Sequence, residues 1–534
     1  MENIILLCIG LIVSVCFLVL IAQKVKIAYP VFLVLAGLVV GFIPVVPIVH
    51  IDPQVVFLVI LPPILYDASQ NMSLKGLWKW RRIITAMALG FVLFTATAVA
   101  FISYWLIPGF TLAQGFLLGA IISPPDAAAA TAILKFAPLP KSTKDILEGE
   151  SLLNDATSLT LFRVALVAIS TNHFVWYEAA GSFIWVTVAG LAIGLAFGFL
   201  FYMVYKWLPT TANIDTALTL VIPYAIYLTA EEFHVSGVLA VVSGGLYIAY
   251  QNHFVFSHKS RLKSGALWSA IVFILNSIVF FLIGLQFPDI AKGIQSLSFF
   301  KALSIALIIC LVVIFARTIA GFFSVIFTRF ISRYITVAYN KPGWRNPLVL
   351  SWVGMRGVVS LASALAIPFA VNGQAFPNRN LILFITFTVV IVTLVGQGLA
   401  LPWVIRKVKP DAIPANKSED EQMFELEIAL NKTAVTNMQT TYNEHVEKNI
   451  LLKQKYEFLK HKTDLLYKAN EGDGARKQAV EMIAQFKAVM LNISEKERSV
   501  LHSFRRHPDF DDDILRLIEN RLDLEEESLE GNAE

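Results

Sequence analysis

Thirteen apolar runs follow one another along the chain, near 3–23, 27–43, 53–68, 83–107, 112–136, 146–170, 181–206, 214–231, 235–250, 265–287, 301–328, 346–371 and 380–405. Most can cross about 30 Å of hydrocarbon as a helix; the shorter ones (27–43, 53–68, 235–250) are bounded by proline or glycine. The pattern predicts an all-α membrane protein with about thirteen transmembrane helices. Beyond Lys409 the pattern changes. Apolar residues recur at helical spacing among charges, in Met423-Phe424-Leu426-Ile428-Ala429-Leu430 and Ile450-Leu451-Leu452-Tyr456-Leu459. A break is expected at Glu471-Gly472-Asp473-Gly474, and a short acidic amphipathic helix from Asp509 to Leu529.

Composition agrees. Hydrophobic residues make up 56% of the chain and charged ones 15%, and the mean hydropathy is +0.66. Residues 1–409 carry 26 Lys and Arg against 13 Asp and Glu, whereas residues 410–534 carry 17 against 26. A membrane domain (1–409) and an acidic, helical, cytoplasmic tail (410–534) are therefore expected. Alternate connections between the runs hold 20 of the positive charges, from Lys24 and Lys26 to Arg406, Lys407 and Lys409; the intervening ones hold only Lys292, Lys301 and Arg379. The positive-inside rule then puts the N-terminus outside and the tail in the cytoplasm. Cys8, Cys16 and Cys310 all lie in apolar runs, with no disulfide framework or metal-ligand spacing. The first run lacks a basic leader and a small-residue cleavage site, so it reads as a retained helix.

Three places break the apolar pattern with chemistry. The sixth run contains Glu150-Ser151-Leu152-Leu153-Asn154-Asp155. A charge at the bilayer centre costs about 2.5–3.5 kcal/mol or more, and persists where it meets a partner or a wet cavity. At about 100° per residue Glu150, Asn154 and Asp155 share one helical face, with Ser151 four residues before Asp155. The bland alternative is a helix mouth near the headgroups; the functional one is an ion or proton site. The fifth run contains Ser123-Pro124-Pro125-Asp126, where consecutive prolines remove backbone donors and unwind the helix. The twelfth contains Gly354-Met355-Arg356-Gly357, two glycines flanking a cation. Paired interruptions in two halves of a membrane chain point to a transport site at the midplane.

With Leu61-Pro62-Pro63-Ile64-Leu65-Tyr66-Asp67-Ala68, Ser123 to Asp126, Gly149 to Asp155 and Gly354 to Gly357 in that order, residues 1–409 resemble the monovalent cation:proton antiporter-1 family, the sodium/proton exchangers that include bacterial and archaeal NhaP-type proteins. The resemblance implies thirteen helices in inverted repeats, two crossing broken helices, a homodimer and alternating access. It implies Na+ or K+ and H+ as the transported partners, membrane lipid as the surroundings and no cofactor or nucleic acid. By the same resemblance Asp155 is the carboxylate that binds cation and proton, with Asp126, Ser151 and Asn154 beside it. Asn154 replaces the second aspartate of electrogenic relatives, so exchange is expected to be one cation for one proton. The family's unwound helix usually reads Thr-Asp-Pro; Pro125 and Ala127 depart from it and remove a threonine oxygen.

Arg317, deep in the eleventh run, is expected from the resemblance to pair with Glu150, the alternative being a direct role for Glu150 at the ion. Arg356 is expected to tie down the second broken helix through Asn154 or backbone carbonyls. Arg163 has no role from the resemblance and reads as reaching outward, and Asp67 and Asp215 read as solvated helix ends near cytoplasmic mouths. His445, His461, His502 and His507 are candidate pH sensors or incidental surface residues. A cation channel fits less well, because no repeated pore loop or filter ring is visible. A membrane-embedded enzyme using Glu150 and Asp155 would also need a histidine cluster or nucleophile motif, and the sequence has neither.

Overall fold

The computed structural model describes residues 2–44, 53–137, 139–171, 176–294, 298–333, 343–371, 373–411, 419–469, 473–504 and 512–530. They fold as two units, Met1–Ile413 and Pro414–Glu534. Helices lie over all thirteen apolar runs of the first unit. Among the described residues, six helices are by themselves long and apolar enough to cross a membrane: Leu74–Leu106, Lys141–Thr171, Ala180–Trp207, His258–Lys292, Phe299–Phe330 and Arg379–Val408. The chain is thus a predominantly helical, multi-pass membrane protein.

The short runs become Tyr29–Gly41, a helix over 53–71 and Gly237–Val255. The 53–71 helix passes through a widened π-helical stretch, Val56–Ile60, just before Pro62 and Pro63. Widening there lets the two prolines enter at the first turn of the next segment, where a missing N–H costs least. Two runs are split. One yields Leu112–Ile122 and Ala127–Leu134, the other Arg345–Trp352 and Val358–Leu365. A two-stranded antiparallel hairpin, Ala370–Val371 with Gln374–Ala375, follows the second split helix.

The second unit comprises helices Glu419–Thr440, Asn443–Lys448, Ile450–Ala469, Asp473–Phe504 and Asp512–Glu530. Asp473 and Gly474, expected in a break, instead begin the Asp473–Phe504 helix. Its remaining thirty residues of good helix formers dominate one glycine near the end. Glu471, Gly472, Asp509 and His507 lie outside the described residues.

Candidate ion site at two interrupted helices

The first interruption follows from its two prolines. Pro124 cannot donate to the Ala120 carbonyl, and Ser158 Oγ donates to that oxygen instead, at 2.7 Å. Asp126 N–H, which a continuous helix would send to Ile122, donates across to the Met355 carbonyl at 2.7 Å. The released Ile122 carbonyl accepts from Arg356 Nε at 2.8 Å, and the Pro125 carbonyl from Asn154 Nδ2 at 3.0 Å. Side chains from the Lys141–Thr171 helix and from the second interruption therefore satisfy backbone that lipid could not.

The second interruption is built around the same residues. Asp126 Oδ1 accepts from Ala128 N–H at 2.8 Å, and Asp126 Oδ2 from Val358 N–H at 3.2 Å. One carboxylate so caps the N-termini of both half-helices, where exposed N–H groups and aligned dipoles favour negative charge. Gly357 permits that approach: a Cβ there would overlap Asp126 Oδ2. A Cβ on Gly354 would likewise strike the Arg317 guanidinium. Arg356 is fully buried and spends its donors on backbone carbonyls: Ile122, Gly354 and, at 3.5 Å, Ser123. Its own N–H donates to Thr393 Oγ1 at 3.3 Å. Asn154 is not its partner.

Two carboxylates on the Lys141–Thr171 helix have opposite surroundings. Glu150 is fully buried and Oε2 lies 2.8 Å from Arg317 NH2, itself 2% exposed. Asp155, 7% exposed, forms no hydrogen bond or ion pair among the described residues, and the like charge of Asp126 acts on it. Ser151 is half-buried one turn before it. The structure thus gathers Asp126, Glu150, Asn154, Asp155, Arg317 and Arg356 around the two interruptions.

Asp215 is elsewhere and is buried, not a solvated helix end. Ser260 Oγ, in the first turn of His258–Lys292, donates to Asp215 Oδ2 at 2.6 Å, and buried Tyr205 donates its OH to the Asp215 backbone carbonyl at 3.5 Å. Asp67 is half-buried and accepts from Asn71 Nδ2 at 3.1 Å. Arg163 does not simply reach outward: NH2 lies 2.8 Å from both oxygens of Glu231. Sequence reasoning missed Ser158, Thr393 and Glu231. Ser158 was available, since it sits four residues after Asn154 and so on the same helical face. Thr393 and Glu231 carried no signal of that kind.

A family model described as "Sodium/hydrogen exchanger, transmembrane" matches residues 10–407. An uncharacterised Na(+)/H(+) exchanger of Mycobacterium tuberculosis is 31% identical over 529 residues, covering 98% of this chain and 95% of the relative. The sodium, potassium, lithium and rubidium/H(+) antiporter of Bacillus subtilis is 34% identical over 365 residues, covering 66% of this chain and 54% of the relative. The solved sodium proton antiporter MjNhaP1 from Methanocaldococcus jannaschii superposes with a TM-score of 0.60 at 18% identity, covering 76% of this chain and 99% of that one. At that identity the likeness speaks to the fold.

Proposed function

Since the chain belongs to the sodium/hydrogen exchanger family, transporters and not enzymes, we propose that it exchanges one alkali cation for one proton, with Asp155 holding either in turn. The observation that carries this reading is the contrast among three carboxylates. Glu150 is committed to Arg317 and Asp126 to two half-helix N-termini, while Asp155 is buried with no partner among the described residues. A buried carboxylate without a partner takes up a cation or a proton, and the two compete because each neutralises the same charge.

The charge count favours one-for-one exchange. Around the interruptions, the described charged side chains are Asp126, Glu150, Asp155, Arg317 and Arg356, a net charge of −1 when all are ionised. One monovalent cation or one proton brings that core to zero. Asn154, neutral and holding the Pro125 carbonyl, adds no second titrating group. Hard oxygen donors suit alkali cations; Asp155, Ser151 and the unwound backbone near Ser123 are the candidates. Pro125 offers no side-chain oxygen, which favours broad selectivity among alkali cations, in line with the four cations in the name of the Bacillus subtilis relative. Thirteen crossings in inverted repeats, a homodimer, an outside N-terminus, a cytoplasmic tail and alternating access complete the reading.

Purified protein in vesicles tests it. Proton flux should appear only with an added alkali cation, and the steady-state cation gradient should ignore a clamped membrane potential. A two-proton cycle would move one net charge, worth about 2.3 kcal/mol per 100 mV. That shifts the balancing cation ratio by more than tenfold, since about 1.4 kcal/mol is a factor of ten. A shift of that size overturns one-for-one exchange, and flux without a coupled cation overturns antiport. If potassium is carried, the potential must be set by something other than a potassium ionophore.

A further inference from the structure

From Asp155 toward the end of its helix, successive turns present Leu159 and Arg163, each four residues on and so on nearly the same face. Exposure rises along that line. Asp155 is 7% exposed, Leu159 is half-buried and the Arg163 side chain is 44% exposed. Leu152 and Ala156, beside Asp155 on this face, are buried in one apolar cluster with Ile226, Tyr227 and Ala230 of the helix Ala212–Glu232, and Leu159 packs against that cluster. Apolar contacts thus close the line next to Asp155. About 12 Å farther along the helix, Arg163 NH2 closes it again, 2.8 Å from both oxygens of Glu231. The two partners have different supports. The start of Gly237–Val255 packs on the Glu231 side: a Cβ on Gly237 would strike the Tyr227 ring and come within 3.1 Å of Glu231 Oε1. Arg163 rides on the helix that carries Asp155, and among the described residues it hydrogen-bonds to Glu231 alone.

We infer that Arg163 and Glu231 close the outer passage to Asp155 and part when the site opens outward. The inference rests on Asp155 as the exchanging carboxylate. Sidedness comes from charge: both helices follow connections on the positive side of the chain, Lys135 to Lys144 before one and Lys206 before the other, so their far ends, with Arg163 and Glu231, lie outside. Strength comes from exposure. A pair with side chains 44% and 31% exposed is weak, and a closure that opens in every cycle cannot be strong. The buried Glu150–Arg317 pair could not serve, because parting it would strand two charges in the core. Where the open state is the minor one, losing a weak outer pair raises its population by about two- to fivefold.

Side-specific labelling tests it. In the full-length protein with Cys8, Cys16 and Cys310 replaced by alanine, Leu159→Cys places a thiol one turn beneath the pair. A charged, membrane-impermeant thiol reagent applied to intact cells should label it slowly while Arg163 and Glu231 are present. Adding Arg163→Gln or Glu231→Gln should speed that labelling about two- to fivefold. Exchanging the charges, Arg163→Glu with Glu231→Arg, should return it toward the slow rate. From the cytoplasmic face of inside-out vesicles, neither single variant should speed it. Unchanged outside labelling in both single variants, as a merely structural pair would give, overturns the proposal. So does faster labelling from the cytoplasmic face, or a charge-exchanged protein as open as the single variants. Labelling is read without cation or proton flux, so it stands or falls separately from the ion-exchange reading.

Discussion

Glu150 and Asp155 lie five residues apart on one helix, both buried and both acidic, yet they are different kinds of group. Glu150 meets Arg317 at 2.8 Å and sits fully inside the core; Asp155 has like charge nearby and no protein partner among the described residues. Burial alone therefore does not define what a carboxylate does. What the neighbouring helices bring to it differs: a guanidinium makes a strut of Glu150, and Asp155 has no such counter-charge among the described residues. Farther along the same helix, the Arg163–Glu231 pair repeats the 2.8 Å geometry with side chains 44% and 31% exposed. It is the low-stakes counterpart of the Glu150–Arg317 pair.

The contrast can be broken most directly at Asp155. Asp155→Asn keeps the shape and removes the titrating oxygen, so coupled exchange should fall to background in vesicles while the protein still elutes and melts like wild type. Transport near the wild-type rate would refute Asp155 as the carrier.

Glu150→Ala or Arg317→Ala should instead damage the fold. Stranding one member of a buried pair costs roughly 3–5 kcal/mol in soluble proteins, and a loss of that order should appear as a lower melting temperature for each variant. The double variant should recover part of it, and a double-mutant cycle with no coupling would show that the pair is not energetic. Because Arg317 also fills the space that Gly354 leaves open, Gly354→Ala should reproduce part of the Arg317 defect.

The smallest effect belongs to Arg163 and Glu231. A partly exposed pair contributes about 0.2–1 kcal/mol in water, so Arg163→Gln should barely move the melting temperature. A loss as large as that at Arg317 would mean that this pair too is effectively desolvated, collapsing the comparison.

The sequence by itself determined the solvent, the apolar runs and the places where helices fail. Apolar length, the Pro124-Pro125 pair and the spacing of Glu150, Asn154 and Asp155 are local facts, and local rules of backbone donors and helical periodicity are enough to read them. Tertiary structure decided which polar group met which. Asp126 reads in the sequence as a candidate at the ion site; only the fold shows that its two oxygens also cap half-helices more than two hundred residues apart in sequence. Arg356 was open between Asn154 and backbone carbonyls, and the fold chose the carbonyls. Asp215 read as solvated until the first turn of His258–Lys292 covered it. The physical reason is common to all three. A polar group in a low-dielectric interior must find a partner, but hydrogen bonds reach only about 3 Å. The need is therefore written in the sequence, and the partner only in the packing.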